Sequence, residues 1–235
     1  MIYEIRLYTV VPGRLDVAYR RFQHHLPALF ERHGVRNVGR WTASAGPNGP
    51  MYVYMMAYRD LGERERQWQA FYGDADWHEV RAATQGTEEA TERFDLFFLR
   101  TMPGWTFAAL PDATVGGLQE LIFAEVALGR QGDACRYITE TYLPAIREAG
   151  GTAMLAADFV SGANLPRVAL LVDWADAAAR QAGWRQLQAN DDLYRALAAQ
   201  RAKFGRALLG RTDTYLLEPT PFDLPRQDLG QGGGK

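Results

Sequence analysis

Hydrophobic residues along the chain alternate between two periods. Residues 2–10 (IYEIRLYTV) and 51–59 (MYVYMMAYR) are dense in β-branched and aromatic types, as strands are. Between Leu15 and His33 the apolar positions Leu15, Tyr19, Phe22, Leu26, Leu29 and Phe30 recur at helical spacing. Pro12-Gly13 ends the first strand, and Pro27 predicts a kink or a break inside the helix. Gly34 is placed to stop it. A strand over 35–43, a turn at Gly46-Pro47-Asn48-Gly49-Pro50, a helix over 63–83 and a strand over 94–100 complete the pattern. Asp74 is expected to cap a helical restart after Gly73.

The same order returns. A shift of 116 residues puts Gly13 on Gly129, Gly34 on Gly150, Asp60 on Asp176 and Trp68 on Trp184 (129 − 13 = 116). Leu26-Pro27 meets Leu143-Pro144 after slipping one residue, and Arg93-x-Asp95 meets Arg211-x-Asp213 after two. Landmarks that agree in order mark an internal repeat. The expected class is therefore α+β, with two tandem ferredoxin-like units over 1–102 and 118–218. Strands in the second are expected near 118–125, 154–160, 167–174 and 212–217, and helices over 131–149 and, interrupted, 177–209. Residues 103–117 form a linker that packs on the surface, and 219–235 a mobile tail.

Alternate strand residues face opposite ways. Tyr3, Ile5 and Leu7, with Val53, Met55 and Ala57, make an apolar set suited to lie under the helices. The opposite set is Glu4, Arg6 and Tyr8 with Tyr52, Tyr54 and Tyr58, too bulky and apolar to leave wet. The expectation is that this face meets the sheet of the second unit and closes a barrel. Its counterparts there are Glu120, Ile122, Ala124, Val168, Leu170 and Trp174, so one wall is polar and aromatic and the other mainly aliphatic. A pocket between the two sheets would take a hydrophobic small molecule with one polar end. Tyr8, Trp41, Tyr52, Tyr54, Tyr58, Leu170 and Trp174 are its expected contacts. The competing reading is structural: Glu4 and Arg6 lie two apart on one face and simply pair.

Composition narrows the classes. Charge is nearly balanced, 26 basic against 28 acidic residues, which argues against nucleic acid or an anionic membrane as partner. No apolar run approaches the ~20 residues of a membrane span, and no secretory signal opens the chain. Cys135 is the single cysteine, so a cytoplasmic setting and an inert, packed thiol are expected. Lys203 and Lys235 are the only lysines, and this arginine and alanine bias suggests a high-GC bacterial genome.

The opening Ile2-Tyr3-Glu4-Ile5-Arg6-Leu7-Tyr8, the Pro12-Gly13 turn, His33-Gly34 and the run Trp68-Gln69-Ala70-Phe71 … Asp74-Ala75-Asp76-Trp77 resemble the NIPSNAP family. The likeness covers residues 1–102 and thins over 118–218, where Glu120, Gly129, Trp184 and Asp192 remain. It implies the dimeric α+β barrel superfamily, whose ferredoxin-like units pair through their sheets, here within one chain. Relatives in that superfamily include cofactor-independent monooxygenases, cyclases, isomerases, haem-binding enzymes and stress-induced proteins, so the resemblance carries a fold and not an activity.

Chemistry must come from residues. All four histidines (His24, His25, His33, His78) lie in the first unit, whereas single-chain haem members take their ligand from the second, so neither haem nor another cofactor is expected. Adjacent His24 and His25 diverge by about 100° and make no metal pair. If the pocket is catalytic, Glu4 or Glu120 is the acid or base, Arg6 stabilises negative charge, and His25 is a further candidate base. Glu120, lacking a matching arginine, is the better base. Two functions stay open: a cofactor-independent enzyme acting on a hydrophobic or aromatic metabolite, and a non-catalytic binding protein whose barrel is a dimerisation core. A cavity on the order of several hundred Å³ beside these residues favours the first. Trp105 and Phe107 in the linker suggest a homodimer.

Overall fold

A computed structural model describes residues 1–86, 88–105 and 117–220. Its eight strands close a barrel in which every neighbour is antiparallel, in the order β1-β3-β2-β8-β5-β7-β6-β4. The strands are β1 Ile2–Val10, β2 Arg36–Ala45, β3 Met51–Tyr58, β4 Thr91–Thr101, β5 Leu118–Val126, β6 Thr152–Ser161, β7 Arg167–Trp174 and β8 Leu209–Pro219. Each half arranges its four strands alike, and the halves join where β2 meets β8 and β4 meets β6. The repeat extends to register: Glu4 lies opposite Met56 as Glu120 lies opposite Val172, 116 residues on.

The helices are α1 Leu15–Arg20, α2 Leu26–Arg32, α3 Leu61–Tyr72, α4 Ala75–Gln85, α5 Gln131–Tyr137, α6 Leu143–Glu148, α7 Ala177–Gln188 and α8 Asp191–Phe204. The break expected at Pro27 is a wide π-helical turn, Arg21–His25, and the second half repeats it as Ile138–Tyr142 ahead of Pro144. A proline has no N–H to give the residue four back and its ring crowds that carbonyl, so a widened turn ahead of it relieves both. Asp60 and Asp176 cap α3 and α7, Asp74 caps α4 as expected, and Asn190 restarts the helix after α7. Gly34 takes the left-handed φ of +67° that ends α2.

The strand faces are the reverse of the expectation. Tyr3, Ile5, Leu7, Val53, Met55 and Ala57 point into the barrel, where they pack against Leu121, Phe123, Leu155, Phe159, Leu171 and Leu217. The Arg6–Tyr54 face lies under the helices of its own half, with Tyr52, Tyr54, Met56 and Tyr58 against Phe22, Phe30, Trp68 and Phe71. Trp41 belongs to the barrel interior and not to a ligand wall. An eight-stranded barrel is only wide enough for side chains to fill it, which selects the smaller, uncharged set. Larger rings and charged groups go to the helix side, where polar ends reach the margin between helix and sheet. The halves do meet through strands, and the space their sheets enclose is filled by packed side chains.

Trp105 is half-buried against the second half's helix-side core, and Phe107 lies outside the described residues. No described helix is long and apolar enough to cross a membrane.

Candidate functional site

The first half's helix side centres on Arg6, which is 1 % exposed. Its guanidinium lies 3.6 Å from the ring centre of Trp68, a cation–π stack delivered by α3. Its Nε donates to Glu4 Oε1 at 2.5 Å, while Arg64 Nε, one helical turn before Trp68, donates to Glu4 Oε2 at 2.9 Å. Both carboxylate oxygens of fully buried Glu4 are thus held by guanidinium groups. Trp68 Nε1 in turn donates to Tyr58 Oη at 2.7 Å. Paired and hydrogen-bonded, the buried ions meet the condition under which such charges persist.

The rest of Arg6 is less well served. Nη1 faces the hydroxyls of Tyr8, Tyr54 and Tyr72, each at a long 3.4 Å. Nη2 is buried without a partner. Burial works against the Arg6 charge, but the surrounding oxygens of Tyr54, Tyr8 and Glu4 outweigh it and push its pKa up. Arg6 is a permanent cation. Burial raises Tyr52 and Tyr54 well above the ordinary phenol range, so both hydroxyls remain protonated donors.

Beside Arg6 lies a pocket of about 100 Å³, walled by β1 and β3 on one side and by the π turn, α3 and α4 on the other. Phe22, Phe30, Trp68 and Phe71 supply an apolar body, and half-exposed Tyr72 stands at its rim. Three lining residues carry a buried polar atom without a partner: Arg6 Nη2, Arg21 Nη2 and the Tyr52 hydroxyl. Leaving such a group unsatisfied costs about 1–3 kcal/mol. All three are free to meet an incoming hydrogen-bonding partner. No carboxylate or histidine lines the pocket among the described residues.

The sequence-derived candidates divide cleanly. Glu4, Arg6, Tyr8, Tyr52 and Tyr54 are brought together, with Tyr58 behind them as the partner of Trp68. Glu120, Leu170 and Trp174 lie elsewhere, in the second half's own helix-side core. Glu120 Oε1 accepts from Arg180 at 2.5 Å, and Oε2 accepts from Trp174 and Trp184 at 3.0 and 2.9 Å. It is a buried anchor with its acceptors used, not a free base. His25 is half-buried in the π turn and does not line the pocket.

Arg21, Arg64, Tyr72 and Trp77 were not anticipated. Arg64 was legible: the 116-residue shift places it on Arg180, and both hold the buried glutamate of their half. Arg21 had no such signal, because its neighbours depend on the π turn.

The second half keeps the frame and replaces the polar lining with apolar residues. Ile122, Val168 and Leu170 stand where Arg6, Tyr52 and Tyr54 do, and pack tightly. Trp174 replaces Tyr58, and its larger ring fits because Gly151 and Gly183 lie against it. A Cβ on Gly183 would sit 2.4 Å from Trp174 Cζ3, and one on Gly151 3.0 Å from Cη2. Cys135 donates to Asp158 at 3.1 Å, and burial first, then that carboxylate, pushes its thiol pKa up to about 12. It is a buried, packed thiol. No group of histidine, cysteine and carboxylate side chains able to hold a metal occurs among the described residues.

Residues 3–103 match the NIPSNAP family model. No curated protein matches the chain in sequence. Among solved structures, an anthrone oxidase-like protein superposes with TM-score 0.57 at 13 % identity, covering 92 % of this chain and 90 % of the other. A candidate monooxygenase from Lactobacillus acidophilus gives 0.56 at 10 % identity, with 92 % of each chain covered. A NIPSNAP-like domain protein from Burkholderia xenovorans, 21 % identical, aligns 91 % of its length to 47 % of this chain with TM-score 0.41. The first two show the shared fold over both halves.

Proposed function

With residues 3–103 a NIPSNAP domain, we propose that its pocket binds a small, single-ring molecule through an acidic oxygen and holds it as the anion. The observation that carries this is Arg6: buried, permanently charged, with Nη2 unpartnered and Nη1 only loosely held at 3.4 Å by three hydroxyls. A carboxylate or phenolate oxygen is the acceptor such a group lacks. Arg21 adds a second positive charge, while Glu4 is shared with Arg64 and Glu89 is paired with Arg81, so the pocket favours an anion.

Volume limits the body of the ligand. An apolar cavity of about 150 Å³ holds benzene, so about 100 Å³ open at a rim takes at most one ring, part of it at the rim, and not a polyketide. The three rings of an anthrone exceed it.

The chemistry these groups supply is stabilisation of an oxyanion by fixed donors in a dry site, which a cofactor-independent oxygenase, isomerase or cyclase also needs. They supply no base, since both Glu4 oxygens are engaged. Binding is therefore the function proposed, and turnover is confined to substrates acidic enough to provide their own anion.

Calorimetric titration with benzoate and its neutral analogue benzamide tests this. The acid is expected to bind once per chain and at least about tenfold more tightly, as a charge-assisted hydrogen bond worth about 1.5–3 kcal/mol requires. Arg6→Met, which leaves Arg64 on Glu4, is expected to cut the preference, with Arg21 left as the pocket's remaining cation. Equal affinity for the two ligands, or a preference unaltered in Arg6→Met, overturns the reading.

A further inference from the structure

The two halves use their central indole differently. Under the 116-residue shift Trp68 corresponds to Trp184, Glu4 to Glu120, Arg64 to Arg180 and Tyr58 to Trp174. In the second half Trp184 Nε1 donates straight to Glu120 Oε2 at 2.9 Å, beside Arg180 on Oε1. In the first half Trp68 Nε1 donates to the Tyr58 hydroxyl at 2.7 Å instead. A tryptophan at that place accepts nothing: Trp174 is itself a donor, to Glu120 Oε2 at 3.0 Å.

This exchange decides what the buried glutamate holds. Glu120 is satisfied by two indoles and one arginine. Glu4 receives neither indole, and Arg6 Nε takes its Oε1 at 2.5 Å while Arg64 Nε takes Oε2 at 2.9 Å. Arg6 also lies 3.6 Å from the centre of the Trp68 ring. A charge-assisted bond at Nε and an aromatic plane against one face fix the plane of the guanidinium. Nη1 is then left to the hydroxyls of Tyr8, Tyr54 and Tyr72, and Nη2 is left unpartnered. Glu4, Arg6, Tyr58 and Trp68 are all buried, so bulk water does not stand in for any of these bonds.

Resting on the binding reading above, we infer that Tyr58 is a positioning residue: by holding the Trp68 N–H it reserves Glu4 for Arg6 and so keeps Arg6 aimed at the ligand's acidic oxygen. Without the Tyr58 hydroxyl the indole N–H is a buried donor in need of an acceptor. The acceptor that this frame offers an indole at the same place is the glutamate, as Trp184 shows on Glu120. Arg6 then shares Glu4 with a competitor and loses its fixed orientation.

Calorimetric titration of benzoate and benzamide into Tyr58→Phe tests the inference, because benzamide reports the shape of the pocket and benzoate adds the cation. The benzoate-to-benzamide affinity ratio is expected to fall about three- to tenfold, as for one lost hydrogen bond, with benzamide affinity unchanged. The double variant Tyr58→Phe/Trp68→Phe keeps a ring under Arg6 but has no N–H to compete, and is expected to recover most of the ratio. Thermal melts establish that each variant is folded at the titration temperature. If Tyr58→Phe leaves the ratio intact, weakens both ligands alike, or is not rescued in the double variant, while Arg6→Met still cuts the ratio, this inference fails and the binding reading stands. If folded wild-type protein does not prefer benzoate, both fail.

Discussion

At the scale of single residues, the two halves differ most where one arginine became an isoleucine. Glu4 and Glu120 occupy the same register position and each is clamped by the arginine 60 residues on, Arg64 or Arg180. Arg6 then gives the first half a cation to spare, and Ile122 gives the second a packed core. Glu120 should accordingly matter to folding alone. Glu120→Gln leaves Arg180 and two indole donors facing an amide, and a loss of about 3 kcal/mol in stability is expected, with benzoate affinity at Arg6 unchanged; denaturant melts and calorimetry on the same variant check both. Asp74 offers a pH signature. The bond from His33 first, and then Arg32, hold its carboxyl at about 2, below the ordinary 3.8. A depressed folded pKa adds stability that is complete above about pH 4 and lost as pH falls towards 2. The difference in Tm between wild type and Asp74→Asn should therefore shrink over that window. A constant difference would assign Asp74 a capping role only.

At the scale of elements, the strands and helices were legible in the sequence and their facing was not. Period and turn residues placed all eight strands and found the interruptions at Pro27 and after α7. Alternation also separated the two faces of β1 and β3 correctly. It could not say which face a barrel would take, because the rule that helices cover the apolar face breaks down when the other option is a narrow interior. The overlooked signal sat on α3: Arg64 and Trp68 are spaced four apart and present a cation and an N–H donor, partners suited to Glu4 and Tyr58 and useless against an aliphatic sheet. In the second half, the fit of α7 to β7 rests on Gly183. Alanine usually strengthens a helix by about 1 kcal/mol over glycine, yet here its Cβ would meet Trp174 at 2.4 Å and the Ala149 carbonyl at 2.7 Å. Gly183→Ala is expected to destabilise by about 2 kcal/mol, and a gain in Tm would contradict the packing described.

At the scale of the molecule, the repeat explains why half of a two-site frame is enough. Each half needs the other to cover its barrel-facing strands: β2 and β4 complete their hydrogen bonding on β8 and β6. A fragment of residues 1–105 would present those edges and the Tyr3–Ile5–Leu7 face bare. It is expected to run as a homodimer in light scattering, two copies re-forming a barrel; a stable, well-folded monomer would count against it. The sequence carried this much because a duplicated pattern repeats its landmarks. It carried less of the site, since Arg21 reaches the pocket only through a turn geometry that spacing does not encode.

Ligand binding in the pocket on the helix side of the first half can be seen directly. Crystals soaked with 4-iodobenzoate should show a single anomalous iodine peak per chain, among Phe22, Tyr52 and Arg21, with the carboxylate on Arg6. A peak inside the barrel, equal peaks in both halves, or an empty Arg6 pocket beside iodine bound elsewhere would contradict the account.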